Sequence, residues 1–538
     1  MEFVRKITCE KIKTENNTTP RSNQSSCFVD GKLYTFGGRC TKLRVNTLDC
    51  FDFETKKWTE IECKGVAPEP RSAHTLNYYN NKLYVFGGLN KSHEEIGDLF
   101  CFDLKTKKWE RLPNCPVIIC DHAAVFYGPL LICYGSEPMN QKRDTAGDIL
   151  VFDTNKLLWS SIATPQEEKS SEDYPKRLLT SHTLNLFSDS LYLYGGTTQT
   201  DFEDSNCLFK FDLLTRKWSN ITDDKHPNWP ISRFGHTICN LFDNLILFSG
   251  FHSNMPHDEL SCYDFHSNKW FPLKYEGDKI TARLRHNCVI KSPTELVIFG
   301  GFDNDYLEDI YVLKFHLDSF LQDLVEFLQN QNFCDSEIIS RDHKKIKFHK
   351  VIIESRLNGK TMNDFISKAS VLSANAIQYI IEYLYTGILH SINVELQEKE
   401  LMTQFFQFFS IEPYAPNQIQ KLKDDFTRLY DGLQNDPTTN FTLKCEDQKF
   451  HVHQEFLALR SGLFRGMFEC VTDSSHEVSD YSQRTPAAIQ ALLRFIYTDK
   501  IDHITQDIAF ELIDAIEFYD LNPNSNLIRV FEKMEKEK

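Results

Sequence analysis

The sequence predicts a multidomain chain: an all-β six-bladed propeller followed by two smaller α/β domains. Three observations carry that reading. An apolar alternating run that ends in glycine recurs six times within the first 316 residues, at intervals of 48–60. In five of those units an aromatic–Asp pair precedes a Trp by a fixed offset. Past residue 316 the apolar spacing moves from a period of 2 toward 3.6, and one mixed pattern occurs twice.

The glycine ends read TFGG (Gly37, Gly38), VFGG (Gly87, Gly88), CYGS (Gly135), LYGG (Gly195, Gly196), FSG (Ser249, Gly250) and IFGG (Gly300, Gly301). Phe51-Asp52, Phe102-Asp103, Phe152-Asp153, Phe211-Asp212 and Tyr263-Asp264 lead to Trp58, Trp109, Trp159, Trp218 and Trp270, each six residues after its Asp. Turn-forming stretches such as ETKK lie between, so each half-unit reads as strand, tight turn, strand. Each whole unit then supplies four strands. A twisted four-stranded sheet has two faces to bury, and radial packing covers both. The glycines suit strand ends where backbones approach closely, and the Trp suits a wedge between blades. The sixth unit lacks its Trp strand and runs into helical spacing at Leu317. The strand-like segment Phe3–Cys9 is expected to complete that blade, because a missing strand would leave an open edge.

Composition narrows the function. Hydrophobic content of 41% and charged content of 25% are ordinary for globular protein. The formal charge of −16 argues against a general nucleic-acid grip. The basic stretch Arg341–Lys350 has strand-like spacing and reads as a solvated strand face. Sixteen Cys occur singly, with no C-x-x-C and no Cys/His quartet at zinc spacing. No apolar run approaches the ~18 residues that cross a bilayer. The expectation is a chain with no metal, no cofactor and no membrane span, resident in the cytoplasm, with nuclear or endomembrane association through partners. No Walker loop, Rossmann fingerprint, G-x-S-x-G or H-E-x-x-H is present, and no catalytic residue is assigned.

Arg-x-x-His precedes the first strand of three units, as Arg71/His74, Arg233/His236 and Arg283/His286, while His122 and His182 stand without the Arg. The histidines read as core imidazoles. The arginines suit either carbonyls of a neighbouring blade or a partner at the propeller mouth, and Arg285 adds a second basic residue at that rim. Variable polar loops follow the glycines, and such loops on a rigid scaffold are where recognition usually sits. The candidate client-binding rim is therefore Arg71, His93, Arg233, His252, Arg283, Arg285, Asp303 and Asp305.

The propeller is placed at residues 1–316, a first, shortened α/β module at 317–413, a linker and helix at 414–437, and a second module at 438–538. Phe320, Leu324 and Phe327 line an amphipathic helix before the first module; Leu422, Phe426 and Leu429 line one before the second. These helices suit pairing, within one chain or between chains. Packing of each on its own module alone is the other reading.

In spacing and residue types the repeat resembles the kelch repeat, over about residues 1–316, and this resemblance implies a rim that takes peptide or protein ligands. The second module resembles BTB domains through His453-Gln454-x-x-Leu457, Arg460-Ser461-x-x-Phe464-x-x-Met467-Phe468 and Phe495-Ile496-Tyr497-Thr498. The first resembles them through His349-Lys350 and Glu382-Tyr383-Leu384-Tyr385-Thr386-Gly387. Arg356 to Tyr385 spans 29 residues, against 37 from Arg460 to Tyr497, so the first copy is expected to have lost a surface helix. Asn440 stands where the first copy has Asp335.

Kelch followed by tandem BTB resembles the leucine-zipper-like transcriptional regulator family. That resemblance implies a non-enzymatic adaptor joining a client on the propeller to a cullin-3 ubiquitin ligase scaffold. The implied cullin contact falls on the second BTB copy, at Phe464, Met467 and Phe468 and at the hydrophobic-x-acid step Val471-Thr472-Asp473. Two other readings stay open. One is a dimeric kelch–BTB scaffold with no ligase role. The other is a kelch-type metal-dependent oxidase, for which no clustered His, Tyr and Cys ligands can be read.

Overall fold

Blade 2 shows how the repeat becomes structure. Its strands Thr75–Tyr79, Lys82–Phe86, Leu99–Asp103 and Lys108–Leu112 pair antiparallel in chain order. Asn80 and Asn81, at φ 46° and 61°, make the two-residue turn that the strand twist favours. Asp103 closes the outer hairpin: its Oδ1 accepts the Lys105 and Thr106 N–H groups at 3.0 and 2.7 Å. Asp52, Asp153, Asp212 and Asp264 accept at the same turn of their own blades. The recurring Asp is thus a turn-former, which its position six residues before Trp had not revealed.

This computed structural model describes residues 4–41, 43–135, 148–164, 171–175, 179–198, 203–242, 244–317, 319–330, 333–388, 394, 396–413, 418–470, 477–479, 484–501 and 504–521. It divides into two units, in the main residues 6–316 and 317–538. In the first unit, blades 1 to 5 are each built on a four-stranded sheet. In the sixth blade the strand Val4–Lys11 lies between Tyr306–Leu317 and the short outermost strand Glu276–Gly277. It buries Ile7 and Cys9 there. The chain's first strand therefore covers the edge of its last blade.

Aromatic wedges lock the blades in sequence. Trp109 of blade 2 packs on Phe36 of blade 1, with ring centroids 5.3 Å apart. Trp159 meets Phe86 at 4.7 Å, Trp218 meets Tyr134 at 5.3 Å, and Trp270 meets Tyr194 at 5.3 Å. Trp58 of blade 1 closes the circle on Phe299 of blade 6, at 5.0 Å. Each contacted aromatic stands directly before a glycine end. At Gly37, Gly87, Gly135 and Gly195 a histidine of the next blade presses on the glycine, and at Gly300 Gln24 does. A Cβ on Gly195, at φ 66°, would lie 2.6 Å from His236 Cε1.

The second unit holds two modules of related build. The first contains α1 (Ser319–Asn330), the hairpin Ser336–Ile339 and Lys345–Phe348, then α2 (Lys350–Ser355), α3 (Met362–Ala369), α4 (Ala374–Thr386) and α5 (Leu396–Phe408). The second contains α6 (Gln418–Gly432), the hairpin Phe441–Cys445 and Gln448–Val452, α7 (Gln454–Arg460) and α8 (Gly462–Cys470). The strand Glu477–Ser479, α9 (Pro486–Thr498) and α10 (Gln506–Phe518) follow. The basic stretch of the first module alternates as a solvated strand does, burying Ile346 and Phe348 and exposing Lys345 and Lys347.

One expectation is corrected here. The shortened first module has not lost its surface helix: α3 occupies that position, started by a capping box between Thr361 and Asp364 and anchored by buried Phe365. Among its described residues there is instead no counterpart of the third strand. Glu477–Ser479 runs parallel to Phe441–Cys445 in the second module, whereas the first keeps a two-stranded hairpin. The sequence MNDFISKA hid the helix because it shares only the Phe with the other copy's motif. Among the described residues no helix is long and apolar enough to cross a membrane.

Candidate functional site

The six inner strands of the propeller surround a central channel of about 250 Å³. Its rim begins with one residue per blade, Asn23, Ala73, Asp121, Ser181, Gly235 and Arg285, all left-handed at φ 48–62°. Their backbones form a closed ring: each N–H donates to the carbonyl of the residue one blade back, at 2.7–3.1 Å, and Asn23 closes it onto Arg285. Six residues that depart from strand geometry in the same way thus fix the diameter of the opening.

Below the ring lie five buried histidines. His74, His122, His182, His236 and His286 each stack edge-on against the aromatic of the preceding blade, at 5.0–5.8 Å. Three of them bond across the blade boundary to threonine hydroxyls: His122 to Thr75 at 3.1 Å, His236 to Thr183 at 3.2 Å and His286 to Thr237 at 2.7 Å. His182 Nε2 donates to the Tyr134 carbonyl at 3.1 Å. Burial lowers every one of these pKa values, to about 3 for His74 and His122 and about 4 for His182. It drives His236 and His286 well below the usual value, with Arg233 and Arg283 adding to the effect. They are neutral structural pins. Gln24 stands in the same place in blade 1 and reaches the Phe299 carbonyl.

In the second unit the two modules pair with each other. Phe320 on α1 meets Phe426 on α6 edge-on at 5.5 Å, and Phe426 also meets Phe456 on α7 at 5.2 Å. Leu324, Phe327 and Leu422 are buried at this face; Leu429 is half-buried. The contacts cross over with a local twofold logic. Arg460 of the second module pairs with Asp323 on α1 at 2.9 Å, and Arg356 of the first pairs with Asp425 on α6. All four side chains are nine-tenths or more buried. Within each module the equivalent histidine holds the equivalent tyrosine: His349 Nδ1 to Tyr385 Oη at 2.6 Å, and His453 Nδ1 to Tyr497 Oη at 3.0 Å. Asn440 replaces Asp335 without loss of its bond, since each side-chain oxygen accepts the first N–H of the following helix, at 2.8 and 2.7 Å.

The sequence of the first unit matches the family profile described as the KLHDC2/KLHL20/DRC7 Kelch-repeats domain over residues 4–118 and 121–322. The chain belongs to the kelch-repeat family. Residues 430–534 match the BTB/POZ domain. Among curated proteins it is similar to the leucine-zipper-like transcriptional regulator 1 homolog of Drosophila melanogaster, 23% identical over 62% of this chain and 36% of that protein. It is similar to putative protein tag-53 of Caenorhabditis elegans, 23% identical over 56% of this chain and 24% of that protein. It is also similar to Kelch domain-containing protein 3 of Mus musculus, 24% identical over 66% of this chain and 96% of that protein. The chain thus spans about a third or less of the length of the first two.

The kelch propeller corrects part of the candidate rim. Arg71, Arg233 and Arg283 are fully buried and face no partner. Each donates to the glycine-end carbonyl of its own blade, at Gly87, Ser249 and Gly300. Each also pairs with a carboxylate, Asp98, Glu259 and Asp309 respectively. Arg21 makes the same bonds to Gly37 and Asp49 in blade 1, where the missing His hid the motif. The rest of the rim reaches solvent. His93 and Asp305 are exposed; His252, Arg285 and Asp303 are half-buried. His252 lies 3.1 Å from Asp204.

The BTB/POZ module corrects a second assignment. Phe464 is core: it stacks on Tyr519 at 4.7 Å and is 1% exposed, so a cullin could not touch it. Phe468 is half-buried against Phe441 and Phe333, the latter from the first module. Met467 is half-buried and its α8 neighbour Leu463 is exposed. Val471 and Asp473 lie outside the described residues.

Proposed function

We propose that this kelch–BTB protein is a substrate adaptor of a cullin-3-type ubiquitin ligase, with the client on the propeller and the scaffold on the second module. Its kelch and BTB domains make it a protein-interaction adaptor; the ligase role is the further step. The observation that favours it is the inequality of the modules. Both present their helices to each other and both expose an apolar residue on the corresponding helix, Ile366 on α3 and Leu463 on α8, but among the described residues only the second has the third strand. The chain itself does no chemistry in this reading. It raises the effective concentration of client beside the transfer machinery.

A pull-down of cullin-3 by the full chain tests the reading. Wild type should retain the cullin, and Leu463→Asp and Met467→Asp should release it while leaving the fold intact. Phe468→Asp is not a fair variant, because its ring also packs against the first module. No cullin with wild type would sink the adaptor reading and leave a kelch–BTB scaffold.

A further inference from the structure

His252 is neither buried nor repeated. It stands two residues after a glycine end, where blades 1, 2, 4 and 6 carry Cys40, Asn90, Thr198 and Asp303. No packing need common to the blades therefore calls for it. Its side chain is 31% exposed, unlike the channel histidines, and both ring nitrogens meet oxygen atoms. Nδ1 lies 3.1 Å from Asp204 Oδ2 and 3.0 Å from Ser232 Oγ; Nε2 lies 2.9 Å from Ser253 Oγ. Asp204 comes from the loop of blade 4, and His252 and Ser253 come from that of blade 5. Closing the two blades assembles all three.

The order of these atoms is that of a hydroxyl nucleophile, its base and the acid that orients the base. With a proton on Nδ1, shared between Asp204 and Ser232, Nε2 is left to accept from the Ser253 hydroxyl. A proton taken at Nε2 makes an imidazolium, which the adjacent Asp204 carboxylate stabilises. Ser253 is exposed at the tip of the hairpin of Phe251–His252 and Met255–Pro256. The turn is Ser253–Asn254, at φ 49° and 62°. Pairing runs through Phe251 with Pro256 and His252 with Met255, so the N–H groups of the two turn residues stand outside it. They are two donors next to the nucleophile in the chain, available to an oxyanion. Exposed apolar side chains adjoin as well: Ile231 is next to Ser232, and Met255 is two residues past Ser253.

We propose that Asp204, His252 and Ser253 form a serine esterase site that hydrolyses carboxylic esters with a small apolar acyl group. Ser253 Oγ bonds to the ester carbonyl carbon as its proton passes to His252 Nε2. The C–O bond to the alcohol then breaks, and that proton leaves on the alcohol. Water attacks the acyl-serine, gives a proton to Nε2 and releases the acid; the proton returns to Ser253 Oγ. One ester and one water become one acid and one alcohol, with no change of oxidation state. Asp204 is a positioning residue, since it holds the ring and touches no substrate. The activity does not rest on the adaptor reading.

The full chain is treated with a biotinylated fluorophosphonate, which loses fluoride to an activated serine, and the labelled peptide is identified by mass. p-Nitrophenyl acetate and butyrate report turnover as released p-nitrophenolate. The label should sit on Ser253 in wild type, and His252→Gln should slow its formation about 10²–10⁴-fold. Ser253→Ala, a change at an exposed side chain, should keep the Trp fluorescence melting midpoint and lose the turnover. Asp204→Asn should lower kcat and leave KM unchanged, a split that a disordered loop would not give. The inference is overturned by no label on Ser253, by equal labelling in His252→Gln, or by a kcat that Asp204→Asn leaves intact. It is equally overturned if wild type turns over neither ester faster than Ser253→Ala does.

Discussion

Acid should open the propeller well before it protonates its carboxylates. The five channel histidines are buried neutral, and Nδ1 of each has no hydrogen-bond partner among the described residues, so a proton there would place an unanswered charge in the core. In the unfolded chain the same groups titrate near 6.5. The folded values lie far lower, so below pH ~6.5 the unfolded state binds more protons and stability falls with falling pH. The contribution is complete above that value and is lost progressively down to about 3 or 4, the folded values of His74, His122 and His182. One unit below 6.5 each group removes about 1.4 kcal/mol, and five together remove about 7 kcal/mol. A typical domain holds only about 5–15 kcal/mol, so the loss is decisive. His257 and His316, partly buried, lean the same way. Chemical denaturation followed by Trp fluorescence at pH 7.5, 6.5 and 5.5 measures the slope, since all six Trp are in this unit. Gln24 already fills the equivalent place in blade 1, so His182→Gln should fold and reduce the slope by roughly a fifth. A stability unchanged between pH 7.5 and 5.5, or a slope that His182→Gln leaves intact, would refute the reasoning.

Three further outcomes are expected. Asp98→Ala strands the buried Arg71 charge and should cost about 3–5 kcal/mol by the same fluorescence, whereas a rim role for Arg71 would leave stability untouched. Ile7→Ala in the strand that covers blade 6 should cost about 2–5 kcal/mol, again read by Trp although the substitution lies some fifty residues from the nearest one. Asp323→Ala and Arg460→Ala, alone and together, should show a coupling of about 0.5–3 kcal/mol in helical circular dichroism melts, since the described helices all belong to the second unit.

The parts of the fold that were legible in the sequence are those in which one chemical need recurs. Glycine before a pressing histidine, Asp at a turn and Trp against the previous blade's aromatic each repeat because every blade boundary poses the same packing problem. Site residues were harder to read. Arg71, Arg233 and Arg283 share a motif because they serve the fold, and repetition itself was the sign that they were architecture. Arg21 went unnoticed for a different reason: it makes the same bonds to Gly37 and Asp49 in blade 1, but no His three residues on marks it as part of the motif. Phe464 was misassigned because a family motif mixes core and contact residues on one helix, and spacing alone does not tell which side faces solvent.

The crossing of Asp323 to Arg460 and Asp425 to Arg356 bears on how many chains make a working unit. In each case a helix that precedes one module supplies a carboxylate to the arginine of the other, and Arg460 also pairs with Asp499 of its own module at 3.0 Å. An apolar helix face already covered within the chain gives a second chain nothing comparable to bury there. The pairing helices therefore predict a monomer by sedimentation equilibrium at micromolar concentration. Arg460→Glu should loosen the module pair and free Phe320 and Phe426, so the variant should self-associate where wild type does not. A wild-type dimer that Arg460→Glu leaves unchanged would mean that chains meet through another surface, and the intrachain pair would lose its claim to set the stoichiometry.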